Sequence, residues 1–198
     1  MRPSRRTFLV GALAGGAGLA VGTVAPGGAA LGLADEPSDV DVGFCTDMAA
    51  HHVQALALCQ RVLGRDTGDA VQAAAAEVLQ NQSIEVGMMW AWLADWGQAT
   101  TPPETTMAWM HGTGVPLADM PGYASDEQLT ELSTATGQEQ GRLWLELMRA
   151  HHVGGVHMAE HAAGHARVPK VVTLAETQAA TQTFEIAQYD VLLAGTYT

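Results

Sequence analysis

Basic side chains are scarce in this 198-residue chain: 9 Lys and Arg stand against 21 Asp and Glu, a formal net charge of −12. A surface of that sign repels nucleic acid and anionic lipid. Cysteine is nearly missing, and two residues, Cys45 and Cys59, are too few for a disulfide scaffold. Placed on one helix they sit about 21 Å apart at 1.5 Å per residue and cannot bridge each other, which leaves burial as their expected state. Aromatics make up only 6% of residues, although five of them are Trp, and Trp90, Trp92, Trp96 and Trp144 read most simply as core. No Gly-x-Ser-x-Gly elbow and no glycine-rich phosphate loop occurs, so catalysis is not needed to explain any residue. From Asp39 onward there is also no run of alternating, β-branched residues that reads as a strand.

The N-terminus carries what the rest lacks. Ser4-Arg5-Arg6-Thr7-Phe8-Leu9 leads into an uncharged stretch, Phe8 to Ala25, and then into small-residue sites at Gly28-Ala29-Ala30 and Gly32-Leu33-Ala34. Residues 1–34 therefore resemble a twin-arginine signal peptide, which implies export to the periplasm, the cell wall or the medium. A membrane anchor follows only if that segment stays uncleaved. Because Arg2, Arg5 and Arg6 precede every acidic residue, its removal leaves 6 basic and 21 acidic groups, a net charge of −15.

Residues 35–198 read as all-α. Four long helical patterns run from about Asp39 to Leu63, Asp69 to Trp96, Gln138 to His165 and Lys170 to Leu193, the first two closed by Gly64 and Gly97. Pro102-Pro103, Gly112, Gly114, Pro116 and Pro121-Gly122 break residues 98–124 into a loop. Ser125 and Gln128 have the spacing of a capping box for a short helix through Leu132.

An internal repeat organises these helices. Met48-Ala49-Ala50-His51-His52-Val53 recurs 100 positions later as Met148-Arg149-Ala150-His151-His152-Val153, and Gln82-Ser83-Ile84-Glu85-Val86 recurs as Gln182-Thr183-Phe184-Glu185-Ile186. Two helical hairpins, about 39–97 and 138–194, are thus copies joined by a crossover at 98–137. Each helix has an apolar stripe that it cannot bury alone, so a four-helix bundle is the economical architecture.

The duplicated residues carry the chemistry. Helical periodicity puts Met48 and His52 on one inward stripe with His51 at its edge, and Met148, His151 and His152 in the equivalent place. Glu85 and Glu185 fall on the apolar faces of the partner helices, where an ionised carboxylate must be paired or coordinate something. Two readings remain open: the imidazoles donate hydrogen bonds to the glutamates in a buried network, or they are metal ligands that the glutamates orient or join. Imidazole and thioether together favour copper over magnesium or calcium, while other transition metals stay possible. No Glu-x-x-His occurs, against a ferritin-type di-iron oxidase, and no Cys-x-x-Cys zinc site is present. His157, His161 and His165 lie on an outward arc, a solvated or auxiliary metal patch. Met107-Ala108-Trp109-Met110-His111 suits a lid over the end of the bundle.

The phrases Asp47-Met48-Ala49-Ala50-His51-His52, Met88-Met89-Trp90-Ala91-Trp92-Leu93-Ala94-Asp95-Trp96-Gly97, Met110-His111-Gly112 and Met148-Arg149-Ala150-His151-His152 resemble the domain-of-unknown-function family numbered 305 over residues 40–194. The resemblance implies an exported, ferritin-like helical bundle with no assigned reaction. Copper binding by Met and His in some of its relatives points here to Met48, His51, His52, Met148, His151 and His152. A second Met tends to follow the His pair in that pattern; Met158 keeps it, whereas Leu58 and Cys59 stand in the first copy. The function expected is exported copper sequestration or handover with a metal ion as partner. The alternatives are a metal-dependent redox enzyme and a metal-free helical module that binds a protein.

Overall fold

Ser38 accepts the backbone N–H of Asp41 while the Asp41 carboxylate accepts the N–H of Ser38, and this reciprocal cap starts α1 (Asp39–Val62). The computed structural model describes residues 36–197; the signal segment expected at 1–34 lies outside the described residues. Gly64 and Gly97, both at left-handed φ of +76° and +70°, end α1 and α2 (Asp69–Asp95) as the sequence predicts.

The crossover is more ordered than a plain loop. Thr105–Thr106 (β1) pairs antiparallel with Val115–Pro116 (β2) around the single turn α3 (Ala108–His111), and the capped helix α4 (Asp126–Thr134) follows from Ser125. This corrects the expectation of no strand: two residues per strand are too short to show any alternation. α5 (Gly137–His165) and α6 (Pro169–Ala194) complete the chain, with Pro169 inside the first turn of α6, where its missing N–H costs nothing.

The described residues form an all-α, mostly helical unit of paired helices. α1 packs on α2, α5 packs on α6, and the pairs meet through α1 against α5. Its core falls into two apolar clusters. One gathers Phe44, Cys45, Met48, Met89, Leu93, Met120 and Met158; the other gathers Leu58, Cys59, Val62, Trp144, Leu145, Met148 and Tyr189. Along every long helix the residues between the clusters are polar and buried: His51 and His52, Gln82, His151 and His152, then Gln178, Gln182 and Glu185. The repeat has thus placed one polar layer across the middle of the helices. Trp90, read as core, is 39% exposed instead; its position on α2 turns away from both clusters.

The crossover is tied down over the first cluster, which Met107, Met110 and Met120 enter as a lid would. The buried Asp47 carboxylate accepts the Met107 N–H at 2.6 Å and the Trp109 indole N–H at 2.7 Å, and it holds Met107 in the left-handed region at φ +67°. Gln54 clamps Ala124 at both ends, donating to its carbonyl at 2.8 Å and accepting its N–H at 2.7 Å. At Gly154 the Pro121 carbonyl lies where any Cβ would be, so the crossover rests directly on α5 beside the histidines. No helix among the described residues is long and apolar enough to cross a membrane.

Candidate functional site

Two histidine doublets at the middle of α1 and α5 meet face to face. The rings of His51 and His151 stack with centroids 3.6 Å apart and planes 26° apart, and all four imidazoles are fully buried. Within each doublet the ring centroids are 6.4 Å apart for His51 and His52 and 6.2 Å apart for His151 and His152. The 100-residue repeat is therefore a pseudo-symmetry of the site as well as of the chain.

Hydrogen bonds fix most of the ring protons. A carboxylate only accepts, so His52 Nε2–H donates to Glu85 at 2.8 Å and His152 Nε2–H donates to Glu185 at 2.7 Å. His151 Nε2–H donates to the backbone carbonyl of His51 at 2.9 Å. With the proton on Nε2, the Nδ1 of each of these three rings is a bare lone pair, and none of the three has a hydrogen-bond partner. His51 has no partner on either ring nitrogen; the Pro121 carbonyl lies close by, though not in hydrogen-bond geometry.

Electrostatics keeps the inner rings neutral. Burial drives the pKa of His51 and of His151 well below the ordinary imidazole value, and the neighbouring imidazoles of the layer add to the shift. These two rings are thus uncharged nitrogen donors. A buried polar group without a partner costs about 1–3 kcal/mol. Further unpartnered atoms border the rings, among them Gln82 Oε1 and both side-chain polar atoms of Gln182.

The sequence-predicted residues divide cleanly. His51, His52, His151 and His152 come together, with Glu85 and Glu185 on their outer edges. The methionines do not converge: Met48 lies with Met158 in the first cluster, and Met148 lies with Leu58 and Cys59 in the second, so the thioethers flank the layer from opposite sides. Cys59 is a protonated thiol, its pKa pushed up to about 12 by burial and by the charge of Glu185; Cys45 is raised equally, by burial and by Asp41. Among the described residues no three His, Cys, Asp or Glu side chains stand grouped to hold a metal ion.

Sequence reasoning missed Gln178, which donates to Glu85 at 3.0 Å from α6. Its repeat counterpart is Val78, so the duplication gives no signal for it. Asp47 and Gln54 were equally silent, because their partners lie on a crossover 60 to 70 residues away.

The fold recurs in known proteins. A Streptomyces coelicolor protein described as "putative secreted protein DUF305" is similar with a TM-score of 0.73 at 35% identity, over 78% of this chain and 92% of that one. A DUF305 fragment from Deinococcus radiodurans gives 0.68 at 32% identity, over 80% and 97%. CopM, solved in a Cu(I)-bound form, gives 0.64 at 21% identity over 80% and 98%, a likeness of fold. No curated protein matches the chain. The family described as "Domain of unknown function (DUF305)" matches residues 41–193, and the chain belongs to it.

Proposed function

We propose that this chain is an exported binding protein for a soft or borderline transition metal, copper first, which it sequesters or hands over. The observation that supports this most is the set of unpartnered Nδ1 atoms on four buried imidazoles. A structural network would use both nitrogens of each ring; this one uses at most Nε2. A carboxylate on the far nitrogen, as at His52 and His152, is the arrangement that orients a metal-binding imidazole and raises its basicity.

In this reading His51, His52, His151 and His152 supply nitrogen, and Glu85 and Glu185 set the tautomers. Met48, Met148 and Met158 supply thioether sulfur at the two faces of the layer, which favours Cu(I) over harder ions. The frame is a ferritin-like four-helix bundle; support comes from α1 against α5 and from Gln178 of α6 reaching Glu85 of α2. The description of the Streptomyces relative as secreted and copper in the solved form of CopM agree with the twin-arginine reading and with the metal chosen.

The test is metal analysis of protein purified natively from the exported fraction, with a Cu(I) titration of the apo-protein beside it. Stoichiometric copper in both supports the proposal. A metal-free natural protein that takes up no Cu(I) would leave a helical module whose His–Glu pairs serve only to register the hairpins.

A further inference from the structure

A second gathering of imidazoles lies outside the layer. His157, His161 and His165 are spaced four residues apart on α5, so they share one face of the helix. Opposite them α3 presents His111, on the crossover segment that Asp47 anchors through Met107 and Trp109. The His111 ring stacks on His157 with centroids 5.9 Å apart and meets His161 edge-on at 6.2 Å, while His161 and His165 stack at 4.2 Å. His161 is steadied by the edge of Trp109 at 5.5 Å.

We propose that His111, His157, His161 and His165 form a separate surface site that takes a borderline divalent ion, Ni(II), Cu(II) or Zn(II), through imidazole alone. Histidines at i and i+4 on one helix face are a bidentate metal clamp, and His111 adds a donor from a second element. His165 Nδ1–H donates to the His161 carbonyl at 2.8 Å, which leaves Nε2 of that ring as a lone pair. Metal–nitrogen bonds are about 2.0–2.1 Å. As they stand these side chains are not grouped to hold an ion; His111, His157 and His165 are exposed, so rotation of their rings, a nanosecond motion, would bring nitrogens onto a common ion at little packing cost. Burial holds His161 below the usual imidazole pKa, and the adjoining His165, His111 and His157 hold it lower still. No thiol or thioether belongs to this set, and that separates its preference from the Met-flanked layer inside.

Ni(II) is the suitable probe, because it favours imidazole and does not change oxidation state during the measurement. Calorimetric titration of the folded chain with Ni(II) should show one equivalent bound. The variant His157→Ala/His161→Ala should weaken it roughly 100-fold or more, beyond the 10–100-fold that the loss of an outer hydrogen bond causes. The variant His52→Ala/His152→Ala, checked for helicity by circular dichroism, should keep it. No Ni(II) uptake by the wild type, unchanged uptake by the α5 variant, or loss of uptake in the His52/His152 variant alone would each overturn the site. None of these outcomes touches the Cu(I) titration, which reads the buried layer.

Discussion

In the second repeat His152 is sealed between Tyr189, with ring centroids 5.5 Å apart, and Glu185, whose side chain is 9% exposed; in the first, His52 faces Glu85, which is 20% exposed on a groove lined by Ile84, Met88, Trp92 and Lys170. Gln178 braces Glu85, and among the described residues none braces Glu185 in the same way, because Val78 stands where the repeat would put the amide. His151 bonds to the His51 carbonyl without a reciprocal bond, since the crossover seats Pro121 next to His51. Duplication fixes which residues face each other, while everything outside the repeat decides how wet each half is. Under the proposed function an ion would enter by the first half, where Glu85 is the more exposed carboxylate.

The largest break in this comparison comes from removing both inner rings' outer partners at once. His52→Ala/His152→Ala should abolish tight Cu(I) binding and, with it, the thermal stabilisation of roughly 2.7 kcal/mol expected at a hundredfold excess of ligand over its dissociation constant. Retained binding in a competition titration would move the copper elsewhere.

Next come the carboxylates singly. Glu185→Ala and Glu85→Ala each remove the acceptor that fixes an imidazole tautomer, an effect of about 10–100-fold on metal affinity. The sealed Glu185 should lie at the upper end and the braced, wetter Glu85 at the lower; equal losses would show that the two halves work alike.

Acid offers a third route. His51 and His151 are held neutral in the folded chain by pKa values well below 6.5, the ordinary value, so below pH 6.5 the unfolded chain binds protons that the folded chain refuses. Stability should fall as pH drops through that value, with a limiting slope of about 1.4 kcal/mol per pH unit for each ring. Chemical denaturation of the apo-protein between pH 7.5 and 5.0 (values chosen to span about one unit or more on either side of the ordinary pKa) checks this. A flat profile would mean that the rings are already paired or hydrated.

A smaller change tests the sulfur asymmetry. Leu58→Met gives the first copy the residue that Met158 has in the second, and a volume-conserving swap of this kind costs less than about 1.5 kcal/mol. Cu(I) affinity should rise if thioethers flank the metal on both sides, as a competition assay would show. The smallest effect is at Cys45 and Cys59: buried thiols with pKa near 12 should resist alkylation at pH 8 in the folded chain and react only on unfolding, as read by mass spectrometry.

Much of this was legible in the residues. Helix limits followed from Gly64, Gly97 and the Ser125–Gln128 cap because these act locally on the backbone. The duplicated spacing brought Glu85 and Glu185 to the His doublets, but which imidazole each carboxylate takes, His52 and His152, came only from the structure. The rest depended on how antiparallel helices register. α1 and α5 run in opposite directions, so Met48 meets Met158 rather than Met148, and a motif read along one strand of sequence cannot show which copy's sulfur lies opposite. His111 joined the α5 histidines only through the Asp47 clamp, a contact with no periodicity to reveal it.

Anomalous diffraction at the copper edge from crystals of the Cu(I)-loaded protein tests the central claim most directly. The account predicts one dominant peak between α1 and α5, bonded to Nδ1 atoms of the His51/His52 and His151/His152 doublets. A layer without copper, its rings stacked as in the apo-protein while the metal sits only on the outer face of α5 or nowhere at all, would contradict it.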